Sequence, residues 1–213
     1  MSDTGSRPGR AALLDIKKRI ALAEKGFTHL KMKRQRLLIE LMHIIPEVKH
    51  RRRHLTERYR SAQYRAAIAA MMEGNIGIML AAYSVEEIPH VKVDSRHIMG
   101  VELPIYIPQN VIKNLDERGY GILGTGSVVD DLADAYETLV IAIIQCAESE
   151  RTLKEILLEI QKLRRRVNAL EFRIIPGLIA SRDSLRLRMD ELEREEFSRL
   201  FMHKKIHGEL RRD

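Results

Sequence analysis

Tryptophan is absent from these 213 residues, and aromatic side chains make up only 5% of them. Aromatics supply much of the buried area of a thick globular core, so their scarcity argues against such a core. Cysteine occurs once, at Cys146, which excludes a disulfide within the chain and fits a reducing compartment. Long apolar runs are missing as well: a cluster such as Leu139–Ile144 is far shorter than the roughly 20 residues that cross a bilayer. No uninterrupted apolar core marks the first thirty residues, so no secretory leader is expected.

What is present is charge and helical period. Charged residues reach 31%, and the net charge is +7. Residues 1–73 hold 17 Lys/Arg against 7 Asp/Glu, while the remainder holds 20 against 23. A basic first third admits three kinds of partner: nucleic acid, an acidic membrane face or an acidic protein cavity.

Apolar residues recur at Leu13, Ile16, Ile20, Ala23, Phe27, Leu30, Leu37, Leu41, Ile44, Val48 and Leu55, in steps of three and four. Arg34 and Arg51 occupy the two missed places. A second ladder runs through Leu139, Ile143, Cys146, Leu153, Leu157, Ile160, Leu163, Val167, Leu170, Ile174, Leu178, Leu185, Met189 and Leu192. A stripe this narrow buries itself against one other helix. The fold class expected is therefore mainly α: a long antiparallel two-helix coiled-coil hairpin of the N- and C-terminal helices, with a small β-hairpin in the middle.

The expected divisions are a disordered start at 1–9, a shaft helix at 10–73, a middle segment at 74–127, a second shaft helix at 128–207 and a tail at 208–213. The first helix would span on the order of 95 Å at about 1.5 Å per residue. Pro46 and Pro176 interrupt the two helices, and nearby heights would give the pair a local bend. Gly74, Asn75 and Gly77 end the first helix. The β-hairpin is expected at about 88–107, turning at Asp94, Ser95 and Arg96, with Pro89, Pro104 and Pro108 confining it to an exposed ribbon. Ser127 and Asp130 resemble a helix cap. The steps Leu157–Ile160–Leu163 and Leu170–Ile174–Leu178 repeat a three and a four, which shifts the local winding.

The residues offer no catalytic constellation. Gly119, Gly121, Gly124 and Gly126 lack the lysine and the preceding strand of a phosphate loop. His50 and His54 have metal-ligand spacing, but Arg51, Arg52 and Arg53 lie between them and oppose a cation. The carboxylates Asp190, Glu191, Glu193, Glu195 and Glu196 alternate with Arg186, Arg188, Arg194 and Arg199, as on a solvated helix face. Catalytic, metal and cofactor residues are all read as none. Two basic runs remain, Lys49–Arg53 and Arg164–Arg166, for phosphate or for an acidic protein surface.

The run RRRVNALEFRIIPGL from Arg164 to Leu178, with DELEREEFSRL from Asp190 to Leu200, resembles the D subunit of the archaeal and vacuolar-type rotary ATPases. Pro8-Gly9-Arg10, Leu14, Lys17 to Arg19, Gly26, Leu30-Lys31 and Lys33-Arg34 agree with it. So do Met99-Gly100-Val101 with Pro104, Tyr120 to Thr125, Ala133, Tyr136 and Glu137. Gln35, Gly9 and Arg173 depart from the family's usual acidic, threonine and apolar residues.

The resemblance implies a non-catalytic central rotor shaft without cofactor, peripheral on the cytoplasmic face of a membrane and not inserted in it. The implied partners are the catalytic and regulatory subunits of a hexamer, the small F subunit of the rotor, and a funnel-like subunit above the membrane ring. Arg164, Arg165 and Arg166, and nearer the tip Glu195, Glu196, Phe197 and Arg199, become candidate hexamer contacts. Ile98, Met99, Gly100, Val101 and Pro104 become the candidate surface for the F subunit or for regulation. The alternative is a nucleic-acid-binding arm using Lys49–Arg53.

Overall fold

A computed structural model describes residues 9–85, 89–114, 117–120 and 126–209. The chain is mainly helical, its long N- and C-terminal helices packed together, with a two-stranded antiparallel sheet in the middle. Helix α1 (Arg10–Met72) is followed by α2 (Gly74–Tyr83), strands β1 (His90–Ile98) and β2 (Val101–Gln109), and α3 (Ser127–Ala169). A single π-helical turn, Leu170–Ile174, joins α3 to α4 (Ile175–Glu209). The expected disorder at the start, Ile88 as a ribbon residue, the glycines at 121 and 124, and the last residues of the tail lie outside the described residues.

Packing divides the chain into two units, residues 35–161 and the two terminal stretches on either side. In the terminal unit Ile20, Leu163 and Val167 are buried and Arg10 pairs with Glu193 at 3.5 Å. In the middle unit α1 runs antiparallel to α3. Arg51 Nη1 donates to the Gln145 carbonyl at 2.9 Å, and Arg65 Nη1 to that of Asp131 at 3.0 Å.

The first ladder is the seam of α1: each of its apolar places is buried or half-buried, and so are Arg34 and Arg51. Arg51 occupies a seam place because its stem packs there while its guanidinium reaches a backbone carbonyl across the seam. Beyond Leu55 the seam continues through Ala62 and Ala69, and Ala62 packs with Ala135, Leu139 and Leu55. Alanine carries too little apolar area to mark a ladder in sequence, yet it lets two helices approach closely.

The second ladder needs correction. Ile143 and Leu157 are exposed, whereas Ala142, Ser149, Thr152 and Ile156 are buried. The Ser149 hydroxyl donates to the carbonyl of Cys146 at 2.8 Å, so a polar residue sits in the seam at little cost. Farther along, Ile174 is exposed and Ile175 takes its place. The Ile175 N–H bonds to the Leu170 carbonyl, the wide step of a π turn, and half-buried positions then resume at 175, 178, 182, 185 and 189. The turn absorbs one surplus residue in the repeat beside Pro176, which has no N–H to give.

Three further expectations change. Pro46 lies inside α1, but Arg52 across from Glu150 (3.7 Å) sets the register, so Pro46 faces the stretch of α3 just beyond Glu150 and not Pro176. Gly74, at φ +71°, ends α1 in the left-handed conformation that glycine adopts freely, but a new helix, α2, starts there at 116° to the first. The ribbon turns at Met99–Gly100, not at Asp94–Arg96, which lies inside β1. Both loop residues have positive φ, as in the type I′ turn that matches strand twist; Gly100 (+74°) accepts this readily and Met99 (+52°) under strain.

Two outcomes follow. Ala62→Leu, although more hydrophobic, should destabilise the chain by about 1–3 kcal/mol in urea unfolding through overpacking, while the exposed Leu22→Ala should leave the midpoint unchanged. Met99→Asn, which tolerates positive φ, should slow amide exchange across β1 and β2 severalfold.

Candidate functional site

Arg164, Arg165 and Arg166 stand exposed between the buried Leu163 and Val167, so the seam spacing turns three consecutive guanidinium groups outward. Glu195, Glu196, Phe197 and Arg199 are likewise exposed; Phe197 keeps 73% of its surface, and Arg199 pairs with Glu195 at 3.5 Å. Phe197 borders a shallow depression with Asp190, Glu193, Arg194 and Ser198. These side chains present charge and one aromatic ring at the surface.

The ribbon residues do not share one face. Ile98 pairs with Val101, and Val101 and Leu103 are buried; Pro104 pairs with Ser95 on the opposite face, because successive strand residues alternate. Met99 is exposed at the turn beside Gly100. The five candidate residues are thus a pair of which Val101 is buried and Ile98 half-buried, a turn, and one residue of the outer face.

The other motifs find structural partners. Arg58 Nε donates to His54 Nε2 at 3.4 Å, and among the described residues no group of three His, Cys, Asp or Glu could hold a metal. Within the basic run Lys49–Arg53, Arg51 and Arg52 engage α3. Glu73 places its carboxylate against Gly126, just ahead of α3, where the helix dipole favours an anion. Cys146 is buried, and burial, reinforced by Glu150, pushes its thiol pKa up.

Sequence reasoning missed the most organised polar cluster. Arg118, 5% exposed, bonds to Asp134 and pairs with Glu137 at 3.2 Å and Asp130 at 3.8 Å. The Tyr120 hydroxyl donates to Asp130 at 2.8 Å, and the Lys113 N–H to Glu137 at 3.4 Å. Burial opposes the charge on Arg118, but the bonds to Asp134 and Tyr120 and the field of Glu137 outweigh it and raise its pKa. Burial is also the main reason the Tyr120 pKa is raised. The cluster pins the loop after β2 to the first three turns of α3. Its visible signal was Asp130, Asp134 and Glu137, spaced four and three apart on one helix face. Beside it lies a cavity of about 210 Å³ walled by Val85, Pro89, Val111, Tyr136 and Val140.

Antiparallel long N- and C-terminal helices with a two-stranded ribbon between them, and Arg164, Arg165 and Arg166 exposed on one helix, define a helical-hairpin protein. Residues 12–205 match the family model of the ATP synthase D subunit, and the chain belongs to that family. It is 46% identical over 200 residues to the A-type ATP synthase D subunit of Methanoregula boonei, covering 94% of each chain. It is 42% identical over 200 residues to that of Methanosarcina acetivorans, covering 94% of this chain and 96% of the relative. Against that of Methanosarcina mazei the identity is 39% over 211 residues, with 99% and 100% covered.

Arg118→Met should lower stability by about 1–3 kcal/mol in urea unfolding, because it strands Glu137 in a largely buried position. Adding Glu137→Leu should recover part of that loss, a coupling that a double-mutant cycle would measure.

Proposed function

We propose that this chain is the central rotor shaft of an A-type ATP synthase, carrying torque between the ATP-processing hexamer and the ion-translocating membrane ring without an active site of its own. The observation that carries this reading is the family match across residues 12–205, which spans nearly all of both long helices. A helix pair resists twist better than one helix. Its irregular seam, with a π turn and alanine-rich stretches, makes its faces unequal, which is what a rod needs to bias otherwise equivalent sites into different states.

In this reading Arg164, Arg165 and Arg166 contact the hexamer partway along the shaft, and Glu195, Glu196, Phe197 and Arg199 contact it nearer the tip. Their exposure supports a role in contact. Helix α2 suits the funnel-like subunit: Ile76, Met79, Leu80 and Tyr83 are all exposed on it, an apolar surface that a partner would cover. The ribbon turn at Met99–Gly100, together with Pro104, faces the small F subunit or regulates turnover. No single helix among the described residues is long and apolar enough to cross a membrane; α1 and α2 reach such a window only together, across their bend. In this reading the shaft is a peripheral part of the membrane-bound complex, on its cytoplasmic face. The nucleic-acid alternative is weakened because Arg51 and Arg52 are engaged by α3.

The test is reconstitution with the hexamer subunits. One copy should bind per hexamer and change ATP turnover, and removing residues 190–213 should abolish that change. Replacing Arg164, Arg165 and Arg166 by Glu should weaken the effect at least severalfold while thermal unfolding of the free chain stays within a few degrees. No complex, or several copies per hexamer, would overturn the rotor reading.

A further inference from the structure

The two outer edges of the ribbon are chemically unequal. The Met99–Gly100 turn closes on the pair Ile98–Val101, and in a two-residue hairpin the closing pair exchanges both backbone hydrogen bonds. Pairing alternates from there, so Arg96–Leu103, Asp94–Ile105 and Lys92–Ile107 direct their N–H and C=O groups into the ribbon. Val91, Val93, Ser95 and His97 of β1 direct theirs outward, as do Glu102, Pro104, Tyr106 and Pro108 of β2. The prolines agree independently with this assignment, because both fall at outward places where the ladder needs no N–H. They leave the β2 edge without two of its four outward donors, a common protection of an open edge. The β1 edge keeps an N–H at all four outward places: that of Ser95 donates to Asp94 Oδ1 at 2.8 Å, while His90 to His97 are all exposed and the sheet has only two strands among the described residues.

We propose that the outer edge of β1 is a strand-addition site for an extended segment of a partner protein in which apolar and acidic residues alternate. Val91 and Val93, 44% and 64% exposed, stand on one face of the edge; Lys92 and Arg96 stand on the other, flanking Asp94. A strand laid beside β1 brings its own side chains next to these at each position. Apolar groups therefore suit the valine face, and carboxylates suit the two cations. A second copy of β1 is a poorer occupant, because each copy carries two cations, Lys92 and Arg96, and one carboxylate, Asp94, so no antiparallel register gives both cations a carboxylate. The charge pattern thus favours an acidic strand over self-pairing. Backbone pairing would supply the affinity and the alternating side chains the selectivity. The inference goes beyond the rotor reading and is tested on the chain by itself.

The probe is a fluorescent ten-residue peptide alternating Val and Glu, titrated by anisotropy against the full chain. Val93→Pro removes an outward donor on β1, and Glu102→Pro is the matched change on the β2 edge. The expected result is binding weakened at least tenfold by Val93→Pro and less than twofold by Glu102→Pro. A Val/Lys peptide should bind at least tenfold more weakly than Val/Glu. The second measurement leaves the protein unaltered: N-methylating alternate peptide amides should abolish binding in one register and spare it in the other. Bound peptide should slow amide exchange at Val91, Val93, Ser95 and His97. The proposal is overturned by no binding, by equal binding of the two proline variants, by indifference to N-methylation, or by unchanged exchange at those four amides.

Discussion

Everything in this structure depends on a seam too narrow to close by itself. A stripe of one apolar residue every three or four positions hides only when a second helix lies along it. α1 offers such a stripe for almost its whole length, and the chain answers it with α3 and α4 running back in the opposite direction. The scarcity of aromatic residues and the high charge follow from the same geometry. Most of each helix faces water, and among the described residues Phe27 is the one ring of the long helices that is half-buried in the strip.

The seam is closed by unlike means along its course. Leu37, Leu41 and Val48 fill it in the ordinary way, Ala62, Ala69, Ala135 and Ala142 bring the backbones together, and Ser149 and Thr152 enter it as buried polar residues. The π turn before Pro176 returns the stripe to register after a surplus residue. These departures make one side of the helix pair unlike the next, whereas an ideal heptad pair would present nearly equivalent faces. Unequal faces are what the proposed shaft role requires.

The middle segment is organised by polar bonds where apolar area is short. Arg118 replaces a hydrophobic plug: one buried guanidinium gathers three carboxylates from α3 and fixes the connector that follows the ribbon. Such a node is directional and all-or-none, because each partner left unpaired in a low-dielectric place is costly. The ribbon held by this connector buries Val101 and Leu103 and leaves β1 open along its outer edge.

Periodicity alone determined the two long helices, their antiparallel pairing and the β character of the middle, because apolar spacing is a local property that one partner helix satisfies. The seam of α1 was legible as far as Leu55, including the arginine places, whereas Ala62 and Ala69 beyond it gave no signal. The seam of α3 was not: Ala142, Ser149 and Thr152 carry no strong apolar signal, and Ile143 and Leu157 carry a misleading one. The ribbon's turn was misplaced because Asp94-Ser95-Arg96 has turn-forming composition, whereas the pairing of Val101 and Leu103 with β1, and their burial, fix the register that puts Met99–Gly100 at the bend. The exposed contact candidates were legible as residues but not as surfaces, since strand alternation separates Pro104 from Ile98 and Val101. Only the tertiary structure could assemble Arg118 with Asp130, Asp134 and Glu137. Arg118 lies in an irregular loop with no period, and its neutralisation depends on which helix face the loop meets.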